Sequence, residues 1–290
     1  LDGYARNSYD LIDLVATSGV GGQYYKYANF GDMRTQGVEL GLHTVNVKTS
    51  DFKWSTSLTF SAMHQEVTRL LNAPTAFDMV AGRGRGNIVG FPRGSLFSFN
   101  YDGLDINGLP TFHFGRYPTN SGEYSHIAGA DFSDTQYNKT YLRYHGSIEP
   151  QITGGLSNTL SWKQWELSVF FTMQAGNKLR LNPTFDPSFA DLNVFSTRYR
   201  DRWLNPGDEL RTDVPVLPSQ ALIEQVGREN IERAYNTYNY SQEMVADGSF
   251  VRLKNVALAY RLAEGVAKKM HFTSATLRLN VTNPLLIYAD

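Results

Sequence analysis

The chain has no cysteine. That one absence removes disulfide staples, Cys-ligated zinc, iron–sulfur clusters and thiol nucleophiles together. Charge of one sign is also missing: 27 basic and 28 acidic residues leave a net −1, so nothing favours nucleic acid, and no nucleic-acid partner is expected. Long apolar runs are lacking too. No stretch approaches the roughly 18 apolar residues of a membrane helix, and the opening Leu1-Asp2-Gly3-Tyr4 is unlike the basic, then apolar, start of a secretory signal. A length of 290 residues leaves the class open. Aromatics are plentiful, at 13% with 17 Tyr and 17 Phe, which points to a β protein with aromatic interfaces.

From Phe52 to Met63, one set of alternate positions reads Phe52, Trp54, Thr56, Leu58, Phe60, Ala62, and the other reads Lys53, Ser55, Ser57, Thr59, Ser61. This period of two predicts a strand. It runs past the roughly 9–11 residues a tilted strand needs to cross hydrocarbon, while globular strands cluster near about 5–6. A hairpin follows the same rule: Leu156, Leu160 and Trp162 lead through a Lys163-Gln164 turn to Trp165, Leu167, Val169, Phe171 and Met173. Intervening positions are small or polar (Ser157, Thr159, Ser161, Glu166, Ser168, Thr172, Gln174), with Phe170 as the exception. Trp162 and Trp165 flank the turn, where two indoles suit a membrane-interface girdle or, alternatively, the edge of a soluble sandwich.

Further alternating runs are Gly37 to Val47, Leu142 to Ile148, Phe250 to Leu262 and Ala275 to Val281. In the third, the apolar phase slips from Val251 and Leu253 to Val256, Leu258 and Tyr260, predicting a bulge near Lys254 and Asn255. About nine strands are expected in all. Connections at Thr49 to Asp51 and Lys163 to Gln164 are tight, whereas Leu71 to Pro92, Gly115 to Lys139 and Asn177 to Val245 are long. That asymmetry matches short periplasmic turns and long outer loops of a membrane barrel. Glu264 to Met270 reads as a helical turn between the last two strands.

No chemistry stands out. His43, His64, His113, His126, His145 and His271 are scattered without close ligand spacing, so no metal site is expected. Gly82-Arg83-Gly84-Arg85-Gly86 has the wrong spacing and context for a dinucleotide loop and reads as a basic outer loop. The pairs Asp131/Asp134 and Asp186/Asp191 read as solvated loop carboxylates, since spacing alone cannot test a catalytic or Ca²⁺ role. No catalytic residue and no cofactor is assigned. The cluster Arg198, Tyr199, Arg200, Arg202 and Trp203, with Tyr235, Tyr238 and Tyr240, is the candidate binding loop, because aromatic faces and forked donors suit sugars, peptides or a protein partner. The competing reading is a packed loop whose aromatics cover one another.

Several motifs, in order along nearly the whole chain, resemble the SusC/RagA family of TonB-dependent outer-membrane transporters. Asn29-Phe30-Gly31-Asp32-Met33-Arg34-Thr35-Gln36-Gly37-Val38-Glu39-Leu40 resembles a family strand opening, with Thr35-Gln36 where Asn is commoner. Gly90-Phe91-Pro92-Arg93-Gly94-Ser95-Leu96-Phe97 and Tyr101-Asp102-Gly103-Leu104 resemble its middle strands. Gly154-Gly155-Leu156-Ser157-Asn158-Thr159 and Gly176-Asn177-Lys178 fit the hairpin. The most specific pieces are Arg202-Trp203-Leu204-Asn205-Pro206-Gly207-Asp208 and Asp247-Gly248-Ser249-Phe250-Val251-Arg252-Leu253-Lys254-Asn255.

The resemblance implies an all-β fold, an antiparallel transmembrane barrel of about 22 strands around a plug. Residues 1–290 are expected to be the C-terminal portion of that one barrel domain, without the plug, the first barrel strands or the last strand. It further implies a SusD-like surface lipoprotein and the TonB complex as partners, outer-membrane lipid around the wall, and an oligosaccharide or oligopeptide as cargo. The expected activity is import and not catalysis, in the cell outer membrane. The alternative is a secreted all-β carbohydrate-binding or glycan-hydrolase domain, whose strands would pack against a second sheet.

Overall fold

The computed structural model describes residues 1–16, 25–71, 74–81, 87–113, 142–185 and 196–289. Among them are β1 (Asp2–Ala16), β2 (Tyr25–Lys48), β3 (Phe52–Leu70), β4 (Ser95–Leu104), β5 (Pro110–His113), β6 (Leu142–Ser147), β7 (Ile152–Trp162), β8 (Trp165–Ala175), β9 (Lys178–Arg180), β10 (Val245–Asp247), β11 (Phe250–Arg261) and β12 (Thr276–Ala289). Seven of these form one antiparallel wall in the order β1-β2-β3-β7-β8-β11-β12. Consecutive wall strands are neighbours, as in a barrel meander, and the intervening strands lie in two inserts at one end.

Register explains why the alternation matters. Residues directly opposite each other share a face, and Leu42, Leu58, Leu156, Phe171, Leu253 and Leu285 form one unbroken row across six strands. Trp54, Leu160, Leu167, Leu258 and Leu279 form another. The opposite face carries rows such as Glu39, Ser61, Thr153 and Gln174, or Ser55, Thr159, Ser168, Ala257 and Asn280. Phe170, the exception in the pattern, sits on this polar face opposite Ser157 and Asn255.

The apolar face is uncovered: Leu42 is 49% exposed, Leu258 38% and Leu279 65%. A sandwich would have buried that face beneath a second sheet, and none packs on it among the described residues.

At one rim the turns are short. Lys163 takes a positive φ of 54°, closing the two-residue hairpin between β7 and β8 with Trp162 opposite Trp165. Neighbouring turns are stitched together, since Lys163 N–H donates to Asp51 O at 2.8 Å and Arg261 N–H donates to Gln164 O at 2.9 Å. The helix Glu264–Lys269 joins β11 to β12 on this same rim. The phase slip is also real: register shifts between Leu253 and Asn255 in both pairings of β11, with Lys254 the extra residue against β8, while against β12 it faces two residues, Asn283 and Pro284.

Three sequence expectations are corrected. Twelve strands are present among the described residues, not about nine. The alternating run Leu142 to Ile148 does not join the wall: β6 pairs with β4 in a separate sheet, β5-β4-β6. The segments Gly90 to Phe97 and Tyr101 to Leu104, read as middle strands, contribute β4 to that sheet also. A period of two identifies a strand without saying which sheet it enters. Residues Gly115 to Lys139, the Gly82 to Gly86 loop, His126 and the pairs Asp131/Asp134 and Asp186/Asp191 lie outside the described residues.

Candidate functional site

The two inserts, between β3 and β7 and between β8 and β11, fold together as one layer at the rim opposite the short turns. Its core unites Met79, Ile88, Phe97, Phe99, Leu109 and Phe112 of the first insert with Phe185, Tyr199, Ile231, Tyr235, Tyr238 and Met244 of the second. The backbone joins them as well, through Phe99 N–H donating to Tyr240 O at 3.1 Å. Arg180 clamps the seam: its Nη2 donates to Phe97 O at 2.6 Å, and its guanidinium lies 5.4 Å from the centre of the Tyr240 ring. Burial pushes this guanidinium down to about 10. His145, bonded to Ser98 Oγ, is pushed down to about 4, first by burial and then by Arg143, Arg180 and Lys178, so it is neutral at ordinary pH.

The candidate loop cluster divides by burial. Tyr235 and Tyr238 are wholly buried, and Tyr199 and Trp203 nearly so. The Phe185 ring meets Tyr199 at 4.7 Å, Tyr235 at 4.5 Å and Tyr238 at 5.6 Å, all edge-to-face. Tyr235 OH donates to Val216 O. These four side chains hold the layer together and offer no ring face to a ligand.

A legible signal existed for this: Ile231, Ala234, Tyr235 and Tyr238 fall at i, i+3, i+4 and i+7 of the helix Arg228–Asn239 and all are buried, which is the spacing of a core-facing stripe. Arg198 is half-buried, its Nη1 donating to Glu243 O at 3.2 Å. Arg202 Nη1 donates to Tyr199 O at 2.9 Å. Arg200 is exposed, while Arg202 and Tyr240 keep part of their surface.

The Arg202 to Asp208 motif builds a turn. Gly207 has φ 103°, a left-handed value that suits glycine. Asp208 Oδ2 accepts from the backbone N–H groups of Asn205 at 2.9 Å and Leu204 at 3.1 Å, and these bonds hold its carboxyl below the usual range. Trp203 Nε1 donates to Glu209 Oε2 at 2.9 Å. Against the indole lies Gly108, where an added Cβ would come within 2.5 Å of the ring. Ile106, Leu204 and Leu210 stay exposed around this contact.

At the base of the layer Lys178 Nζ meets Asp247 Oδ2 at 2.7 Å, pulling the Asp247 carboxyl down to about 2 from 3.8, with help from Ser249. A depressed carboxylate stabilises the folded state above its unfolded pKa, and that contribution is lost as pH falls through the folded value. Hydrogen exchange at Val245 to Asp247 is therefore expected to speed up between pH 4 and pH 2 relative to the Asp247→Asn variant. Identical profiles for both proteins would contradict this role.

On the polar face of the wall, a hollow of about 520 Å³ is lined by Glu39, Gly41, Thr59, Ser61, Thr153, Gly155, Phe170 and Thr172 among others. Gly155 makes room for Phe170, whose Cε2 would lie 3.2 Å from a Cβ there. At the short-turn rim the two candidate girdle residues are both exposed, Trp165 packing at 4.6 Å on Tyr260 and Trp162 lying beneath Lys163 at 5.6 Å.

No protein-family model matches the chain. Curated relatives do: TonB-dependent receptors P3 and P26 of Formosa agariphila are each 26% identical over the whole chain, and P39 is 23% identical over 97% of it. The chain spans 28% of the length of the first two and 29% of the third. Among solved structures, the RagAB peptide transporter matches 98% of the chain and 29% of its own, with TM-score 0.66 at 23% identity. The RagAB peptide importer in its closed-closed state matches 99% of the chain and 30% of its own, with TM-score 0.67 at 23% identity. These structures share the fold of the wall and its inserts. Along its length the chain is thus similar in sequence to TonB-dependent receptors and similar in fold to part of the RagAB peptide transporter.

Proposed function

We propose that the chain forms part of the wall and the outer loop layer of an outer-membrane importer that takes up a large nutrient, an oligosaccharide or an oligopeptide, at the expense of the TonB complex. The two-faced wall carries this reading. Its uncovered apolar rows need hydrocarbon against them, and the hydroxyl-rich face opposite suits a watery lumen. The short-turn rim then lies on the periplasmic side and the folded layer outside the cell. A Cys at Gln164 is expected to escape an impermeant thiol reagent on intact cells and to react once the outer membrane is opened. Labelling on intact cells would reverse the orientation.

The outer layer is where a SusD-like surface lipoprotein seats in this reading, at the apolar tip around Leu204 and Leu210, with the exposed Arg200 and the half-buried Arg202 and Tyr240 the remaining candidates for cargo or lid. Leu210 is 87% exposed, so Leu210→Asp is expected to leave the fold intact while the lipoprotein no longer co-purifies. Unchanged co-purification would remove the tip from the interface. For the whole reading, the full-length protein should require detergent for extraction, migrate anomalously when unheated, and lose uptake when TonB is deleted. A freely soluble protein would overturn it. Uptake assays with labelled oligopeptides and oligosaccharides decide the cargo.

A further inference from the structure

A slot opens where β1, β2 and β3 run on beyond the membrane. Val67 is fifteen positions along β3 from Phe52 at the short-turn rim. At about 3.3 Å per residue and a tilt near 45°, that is roughly 35 Å, past an apolar band about 25 Å tall. Met33 lies opposite Val67 in the same series as Glu39–Ser61 and Thr35–Gln65, so both continue the lumen face.

Bulges shape the slot, as they often do where side chains must be re-aimed. Tyr9 and Asp10 together face Asp32, and Thr68 is the extra residue between Val67 and Arg69. Asp10 takes a positive φ of 52°, and its N–H donates to Asp32 Oδ1 at 2.9 Å. Beside this bend Leu11, Gly31 and Leu70 form one row. Gly31 is the floor, where an added Cβ would collide with Arg69 O and come within 3.1 Å of Leu70 Cδ2. Leu11, Leu70, Met33 and Val67 wall a space of about 110 Å³. An apolar cavity of roughly 150 Å³ takes up a benzene ring, so this one fits a single branched aliphatic side chain.

Charge enters the lining at Asp32 and Arg93. Asp32 is already engaged, its two oxygens accepting from Arg69 Nε at 2.7 Å and Nη2 at 3.0 Å. Arg93 is exposed and makes no ion pair or side-chain hydrogen bond among the described residues. The slot therefore offers an unmatched guanidinium beside an aliphatic pocket.

We infer that this slot is a cargo subsite for the C-terminal residue of an oligopeptide, with its aliphatic side chain seated over Gly31 and its carboxylate held by Arg93. An aliphatic group and a carboxylate joined through one carbon meet both features at once, and the planar fork of Arg matches a carboxylate. A sugar would leave hydroxyls unpaired against Leu11, Met33, Val67 and Leu70. An ammonium group would find Asp32 engaged and Arg93 opposed to it.

The subsite rests on the import reading and narrows its cargo. The test uses the full-length importer in its native outer membrane and a radiolabelled alanine-rich octapeptide, offered with a terminal Leu as free acid, with the same terminus amidated, or with a terminal Gly. TonB-dependent uptake at limiting concentration is expected to favour the acid over the amide about tenfold, and Leu over Gly by about tenfold. Arg93→Ala should bring the acid-to-amide ratio close to parity. Leu11→Ala enlarges the slot and should move the preference from terminal Leu to terminal Phe, a gain that a misfolded barrel cannot show. Equal uptake of acid and amide by the unaltered protein, a preference unmoved by its variant, or TonB-dependent uptake of oligosaccharides alone would each overturn the subsite and leave the importer standing. Absence of TonB-dependent uptake for both cargo classes would overturn the importer itself, and the subsite with it.

Discussion

Leu58→Arg is expected to destabilise the wall by about 2–4 kcal/mol in a lipid-refolding titration, and Ser57→Arg by much less. The two residues are adjacent on β3, so strand propensity and local backbone are held nearly constant between them. Leu58 lies in the row Leu42–Leu58–Leu156–Phe171, six positions from the Phe52–Trp162 rim row, near the middle of the apolar band. A guanidinium there must either sit in hydrocarbon or drag water to it. Ser57 lies in the row His43–Ser57–Ser157–Phe170 on the opposite face, where His43 Nδ1 already lies 2.8 Å from Ser57 Oγ, and a new cation there keeps its hydration. Equal costs for the two variants would mean that the faces are assigned wrongly, and with them the membrane reading.

The same contrast marks what the amino-acid order makes legible. Local signals that depend on neighbours in sequence are readable: the Lys163-Gln164 turn, the Lys254 bulge, the short rim and the helix Glu264–Lys269 all follow from spacing, phase and chain length. Signals that depend on which strand finds which are not. β6 alternates as well as any wall strand, yet it pairs with β4, because its sequence specifies an extended backbone and leaves the partner to the layer around it. β1 carries Tyr9, Leu11 and Ile12 among polar residues without a clean period, and its register against β2 shifts on both sides of Leu11, which blurs the alternation the reading relies on. The burial of Tyr199, Trp203, Tyr235 and Tyr238 within the candidate loop cluster is hard to read for a different reason. Arg and aromatic side chains are the chemistry of interfaces and also of cores with one polar tip, and composition cannot separate the two. The helical spacing of Ile231, Ala234, Tyr235 and Tyr238 could have done so.

That spacing sets the second large effect. Tyr235→Ala is expected to cost the outer layer about 3–5 kcal/mol, the range for truncating a large buried aromatic. Its side chain is fully buried, its ring stands edge-on to Phe185 at 4.5 Å, and its hydroxyl donates to Val216 O. The substitution therefore leaves a cavity and an unpaired carbonyl at once. Tyr235→Phe removes only the hydrogen bond and should cost about 1 kcal/mol. Tyr240→Ala, whose ring is half-buried beneath Arg180, should fall between them. Because the layer's core is built from the two inserts and not from the wall rows, the damage should stay local. Limited proteolysis of the Tyr235→Ala protein in membranes should cut within 196–244 while the unheated barrel still migrates as a folded species, and uptake should fall with the layer. If the wall unfolds together with the layer, the two are one cooperative unit, and the view of the inserts as a separately packed cap on the barrel fails.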